Sequence, residues 1–359
     1  MNRRRALLAS VLLVPSFPGA SQPPASSAFE PVLPGRKLAF PRDAGAHPDH
    51  RIEWWYVTGQ VDGAHGPLGF QVTFFRLRNR EAEGNPSRFS PRQLLFAHAA
   101  LADPARGSLL RDQRSARAIA DLVSADTGDT DVRIGDWSLK REAGAYRARV
   151  EGADFALDLA LSPTQAVLFE GDAGYSRKGP AEAQASYYYS EPQLRVRGRM
   201  RGASAWRDVE GIAWLDHEWS SEPLASAALG WDWVGINLDD GGALMAFRIR
   251  GQAGERVWAG ATLRPPGGVA ASFGPASVRF AVRRTWKSPR TGTVYPVAVD
   301  VGIEGRSWRI DPIMDDQELD ARASTGTLYW EGAVRVEGND GARGRGYLEL
   351  TGYAERLRF

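Results

Sequence analysis

The chain has 359 residues with 39 glycines, 12 tryptophans and 10% aromatic content, a composition that favours many short strands joined by turns over a helical bundle. Its formal charge of +2 is spread over interspersed acids and bases, which argues against nucleic acid as a partner. The lack of any cysteine excludes disulfide staples and a lipid anchor on cysteine.

Residues 1–20 read as a signal peptide. Arg3, Arg4 and Arg5 give a positive start, residues 6–14 an apolar run, and residues 15–20 a break with small side chains. The double arginine also permits a twin-arginine route. The run is too short to span a bilayer, and no later segment is longer, so a soluble protein of the periplasm or exterior is expected. Residues 21–36, rich in Pro, Ser and Ala, read as a flexible lead-in.

Residues 53–61 (EWWYVTGQV) and 70–78 (FQVTFFRLR) flank a Gly/Pro turn and predict a hairpin. Residues 90–103 give another strand, and 116–123 a short helix. Strand patterns follow at 136–140, 146–150, 155–161, 165–170, 187–199 and 211–219. The second half then repeats the first. YVTGQVDG (56–63) resembles WVGINLDDG (233–241), FFRLR (74–78) resembles AFRIR (246–250), and the strand at 211–219 resembles the one at 346–353. A repeat this long indicates a duplicated domain rather than a solenoid. The expected division is 37–222 and 223–359. Each half is a run of sequential strands whose first and last members can pair, and closing such a sheet removes its edges. The expected fold class is all-β, with two tandem antiparallel barrels side by side.

Several longer motifs carry a family resemblance: HPDHRIEWWYVTG (47–59), GFQVTFFR (69–76), YYYSEPQL (187–194), WLDHEWSS (214–221), GWDWVGINLDDG (230–241), YWEGAVRVEG (329–338) and GYLELTGY (346–353). They resemble the AttH-like family, which is related to the carotenoid 1,2-hydratases (hydroxyneurosporene synthases). The resemblance implies two lipocalin-like barrels. It also implies either a secreted hydrolase or cofactor-independent hydratase, or a soluble component associated with an ABC-type export permease. In the hydratases a His-x-Trp pair and a downstream Tyr-x-Asp pair are assigned the protonation chemistry. His217-Glu218-Trp219 resembles the first pair, whereas residues 244–247 read LMAF, with no acid.

The densest candidate site is residues 206–233, which hold five of the tryptophans. Strand periodicity puts Leu215, His217 and Trp219 on one face and Asp216 and Glu218 on the other. His217 therefore takes its partner from elsewhere, with Asp232 and Glu191 as candidates. In the catalytic reading His217, Asp216, Glu218 and Asp232 move protons while Trp219 and Trp231 stabilise a developing cation. In the structural reading the same residues lock a barrel end. Trp55, Trp233, Tyr187 and Tyr189 are candidate ligand walls, Glu53 pairs with Arg76 across the hairpin, and His98 among alanines lines a barrel. His47, Asp49, His50 and Glu53 are zinc-type ligands, but Pro48 implies an extended segment that need not converge them, and no metal is expected. Gly-rich phosphate loops and G-x-S-x-G elbows are absent, and no cofactor is expected. Two functions remain: a carrier of a hydrophobic, lipid- or polyene-like molecule, or an enzyme acting on one through His217. The strand at 346–353 has Gly352 where the first copy has His217, so the histidine belongs to one copy.

Overall fold

The computed structural model describes residues 29–63, 66–202, 205–222 and 224–357. The expected signal peptide and residues 21–28 lie outside these. Among the described residues there is no α-helix, only three short 3-10 turns, and no helix is long and apolar enough to cross a membrane. The helix expected at 116–123 is replaced by the end of strand Leu110–Arg117 and the 3-10 turn Ala120–Leu122. Five of its eight residues, 118–122, are exposed, so little packing holds a helix against the core.

The strands form two antiparallel sheets side by side, each curled as a barrel or half-barrel. In the first, Ile52–Gly63 lies between Gly66–Arg78 and Arg207–Ser220, so the first and last long strands of the sheet are paired. Beyond Arg207–Ser220 the order continues through Ala185–Arg201, Ala156–Ser162 and Ala145–Glu151, and the path ends at Leu110–Arg117 and Val123–Ala125. The second sheet repeats the plan. Ala228–Leu238 lies between Ala243–Gly251 and Arg343–Leu350, and the path ends at Ala271–Phe273 and Val278–Lys287. In both sheets the two end strands are successive in the chain.

Alternation along these strands divides their side chains between two cores. Trp55, Val57, Leu215 and Trp219 point into the first barrel, and Val234, Ile236, Leu348 and Leu350 into the second. The intervening residues Tyr56, Tyr188, Trp214, Trp233, Phe247 and Tyr347 form a third cluster between the sheets. The approach is close. A Cβ on Gly69 would lie 2.5 Å from Ala333 Cβ and 2.8 Å from the Tyr347 hydroxyl, so a side chain there would push the sheets apart.

Two amides at matching places in the repeat tie the sheets together. Gln60 donates to the carbonyls of Val334 and Gly346 at 2.8 and 3.0 Å. Its counterpart Asn237 donates to Ala213 O at 3.1 Å and accepts from Gln193 N at 2.7 Å. Within the expected lead-in, Leu33 exchanges hydrogen bonds with the Tyr187 hydroxyl, and Glu30 O accepts from Ser221 Oγ. Residues 29–51 thus lie against the mouth of the first barrel. Gln60→Ala and Asn237→Ala should each lower stability to urea by about 1–3 kcal/mol, because buried carbonyls lose their donors.

Candidate functional site

The inward face of the first barrel carries a network centred on Glu53, which is fully buried. Its Oε1 lies 2.7 Å from His47 Nδ1 and 2.9 Å from His217 Nε2, and its Oε2 accepts from Arg76 Nε at 2.8 Å and from His47 N at 2.9 Å. Burial opposes the charge on Glu53, but His47 and Arg76 outweigh it and hold the carboxyl well below its usual range. Burial likewise opposes a charged His47, yet Glu53 and Asp43 raise its pKa, while burial lowers that of His217. Aromatic rings close the site. His47 stacks on Trp219 with centroids 3.7 Å apart, and His217 stacks on Trp55 at 4.7 Å.

His217 takes Glu53 as its partner, not Asp232 or Glu191. Asp232 is held inside the second barrel by Arg248 at 2.6 Å, Arg250 at 2.8 Å and the Tyr353 hydroxyl at 2.9 Å. Glu191 accepts from the Tyr146 hydroxyl at 2.5 Å. The cross-strand register decides the matter: Trp55 stands opposite His217 and Glu53 opposite Trp219, so Glu53 reaches the imidazole along its own face. His47 and Glu53 do converge despite Pro48, whereas Asp49 is turned to Arg78 and His50 stays outside the cluster. The Glu53–Arg76 pair follows from their opposed positions in the hairpin.

The outward face of the same strands lines a cavity between the sheets. Its volume is about 80 Å³ as measured by the positions a water centre can take, room for several waters. Trp54, Tyr56, Phe75, Trp231, Trp233 and Phe247 form its aromatic walls. Asp216 and Glu218 enter from the first sheet, and Glu331 and Glu349 from the second. Lys178 is the one cation among the described lining residues. Its Nζ lies 3.2 Å from Glu218 Oε1 and 4.2 and 4.6 Å from the ring centroids of Phe247 and Tyr188.

Among the described residues no arginine lines the cavity beside these acids, in contrast to Glu53. Glu331 and Glu349 stand directly opposite each other on paired strands. Burial, and for Glu331 also the charge of Glu349, pushes Glu331 well above the carboxylate range and Glu349 to about 7. Glu349 Oε2 accepts from Trp231 Nε1 at 3.0 Å. The Tyr56 and Tyr329 hydroxyls beside Glu331 favour its charged form, but burial outweighs them. On the other wall, Asp216 accepts from Tyr188, Ser190 and Trp214 at 2.5–2.6 Å. Burial outweighs these bonds and raises Asp216 to about 7. Ser190 also lies 2.9 Å from Glu170 Oε1, and burial raises Glu170 to about 8. One hydroxyl proton cannot serve both carboxylates, so Glu170 carries the second proton.

His98 does not line the barrel as expected. Ala97, Ala99 and Leu101 face inward, so the period of two turns His98 toward the second sheet. There its Nδ1 lies 2.7 Å from the Tyr329 hydroxyl and its Nε2 2.9 Å from Ser324 Oγ. Ser324 donates to Gln113 or to Ala321 O. It must therefore accept from His98 Nε2–H, which leaves Nδ1 to accept from Tyr329. Burial lowers His98 to about 3, in keeping with this neutral form.

A profile for the AttH-like proteins matches residues 31–353. The chain belongs to the AttH-like family. It is 52% identical to a crystal structure from Nitrosomonas europaea assigned as an AttH, with TM-score 0.85, covering 90% of this chain and 99% of that one. Kievitone hydratase from Nectria haematococca shares the fold at 14% identity and TM-score 0.66, over 92% of this chain and 99% of that one. CghA, solved with Sch210972, shares it at 12% identity and TM-score 0.52, over 90% and 96%. None of the curated proteins compared matches the chain.

Of the residues singled out from the AttH-like sequence, Asp216, Glu218, Trp231 and Trp233 meet in the cavity. Glu53, Trp55, Tyr187, Tyr189, Glu191, His217 and Trp219 are buried on the first sheet away from the cavity lining. Glu331, Glu349, Tyr56, Tyr329 and Lys178 were not singled out as site residues. A usable signal was present in YWEGAV and YLEL, where an acid takes the face of alternate aromatic residues. The strand register also moves the counterpart of His217. Trp55 pairs with His217, and Asp232, at the matching place, pairs with Leu350 rather than Gly352.

Burial pushes Glu349 in the folded protein up to about 7, above the ordinary glutamate value of 4.5. The protonated form is therefore favoured in the folded state, and its contribution is full below pH 4.5 and lost as pH rises through 7. Glu349→Gln should flatten this loss, which is of order a few kcal/mol between pH 5 and 8. Urea unfolding at the two pH values reads the difference.

Proposed function

We propose that this AttH-like protein is an acid–base enzyme that adds water to, or isomerises, an apolar unsaturated small molecule held between its two sheets. The observation that carries the reading is the Glu331–Glu349 pair, a buried and a half-buried carboxyl set opposite each other in an aromatic cavity, with no arginine beside them among the described residues. Such a pair keeps one proton near neutral pH, so one member is an acid and the other a base.

In a hydration, the protonated carboxyl delivers its proton to one alkene carbon, forming a C–H bond. Positive charge develops on the neighbouring carbon, facing the rings of Trp231, Trp233 and Tyr56. The ionised carboxylate takes a proton from a water as its oxygen bonds to that carbon. The pair ends with one proton, its roles exchanged, and no electrons change hands. In this reading His217 braces the strand from which Asp216 and Glu218 enter the cavity, and the proton comes from the second sheet. The name of kievitone hydratase and the small-molecule complex of CghA are in keeping with such a use of the fold.

The aromatic walls alone also favour a second reading, a carrier of a lipid- or polyene-like ligand working with an ABC-type permease outside the cytoplasm. Mass spectrometry of organic extracts from the purified protein separates the two. For the enzyme, a recovered unsaturated ligand is isomerised or gains the mass of one water when incubated with the wild type. Glu331→Gln or Glu349→Gln slows that change by about 10²–10⁴-fold, the usual contribution of positioned acid–base groups. A stoichiometric ligand returned unchanged by the wild type establishes the carrier instead.

A further inference from the structure

We propose that His47, Glu53 and His217 form a binding site for one divalent metal ion inside the first barrel. Three potential ligand atoms, His47 Nδ1, Glu53 Oε1 and His217 Nε2, lie within 4.8 Å of one another, and all three residues are buried. Two imidazole nitrogens and one carboxylate oxygen are a donor set suited to zinc and its first-row neighbours, with water or a small anion completing the shell.

The surroundings of the three residues are the second observation. A metal-ligating imidazole needs its other nitrogen held, which fixes the ring and its tautomer. His47 Nε2 lies 3.2 Å from Asp43 Oδ1, and His217 Nδ1 lies 3.2 Å from the Tyr189 hydroxyl. Glu53 Oε2 is taken by Arg76 and by His47 N, which leaves Oε1 as the single oxygen toward both imidazoles. Every outward atom of the trio is thus anchored, and every inward atom faces the others. In the metal-free state the inward positions are filled by N–H protons on Oε1. On binding, His47 gives up its Nδ1 proton and keeps Nε2–H toward Asp43, while His217 shifts its one proton from Nε2 to Nδ1, facing the Tyr189 hydroxyl, and the dication takes the place of both inward protons.

The ion would join three parts of the chain: the segment carrying His47, strand Ile52–Gly63 and strand Arg207–Ser220. Residues on the far sides of those strands, Trp54, Tyr56, Asp216 and Glu218, line the cavity between the sheets. The site is therefore a clip that holds one cavity wall in register, and it stands whatever reaction the cavity performs.

The test is elemental analysis and X-ray absorption on untagged full-length protein purified without chelator and dialysed against zinc. The expected result is about one equivalent per chain with imidazole scattering in the first shell, together with a fall in Tm on chelation that zinc reverses. Asp43→Asn keeps all three ligands and should weaken zinc binding by about 10–100-fold, and Glu53→Gln should abolish it. The proposal is overturned by wild-type protein that takes up no zinc and whose Tm zinc does not move. Bound zinc without imidazole scattering, or binding undiminished in Glu53→Gln, overturns it equally. The wild-type measurements decide the matter even where a variant fails to fold.

Discussion

Everything in this molecule depends on two neighbouring strands, Ile52–Gly63 and Arg207–Ser220, which cover both of their faces over residues 52–61 and 213–220. A strand in an ordinary soluble barrel shows one face to the core and one to water. Here the outer face is covered by a second sheet, so each residue must suit one of two interiors. The sequence EWWY shows the consequence. Glu53 and Trp55 serve the barrel, Trp54 and Tyr56 the space between sheets, and of the four only Trp54 keeps partial exposure. A slip of one residue would exchange the two sets.

The two interiors treat buried acids in opposite ways. Inside the first barrel the Glu53 carboxylate meets an arginine, two imidazoles and a backbone amide, and charge is favoured. Between the sheets Glu331 and Glu349 meet aromatic rings and each other, and the neutral form is favoured. A compensated charge stabilises a structure, whereas an uncompensated acid stores a proton that a ligand can draw upon. This difference in surroundings distinguishes the two clusters more clearly than residue type does.

Much of the architecture was legible in the sequence because it rests on periodicity. The hairpin follows from strand patterns around a turn, the separation of His217 from Asp216 from alternation along a strand, and the duplication from motifs that recur in the same order. What escaped was register between distant strands. Nothing local to His217 points to Glu53, 164 positions away, rather than to Asp232. The cavity was hidden for the same reason, since its opposed acids come from the last two long strands and face residues of the first sheet. Each looked like a lone acid in an apolar strand. His98 was misread because its neighbouring alanines suggested space in the barrel, when they in fact line the interior while it points out.

The matched amides Gln60 and Asn237 show that the sheets meet about an approximate two-fold axis, as the protomers of a homodimer would. In a true homodimer both halves of a shared cleft are encoded once, so any change appears on both walls. Here the halves are written separately in one chain, and the walls have diverged. By the strand register Asp216 occupies the place of Glu349, and Ser190 that of Glu331. On one wall a carboxyl stands opposite a hydroxyl, and on the other it stands opposite a second carboxyl. Fusion of the duplicated halves therefore freed the cleft to become chemically one-sided, a freedom that symmetry denies to two identical subunits.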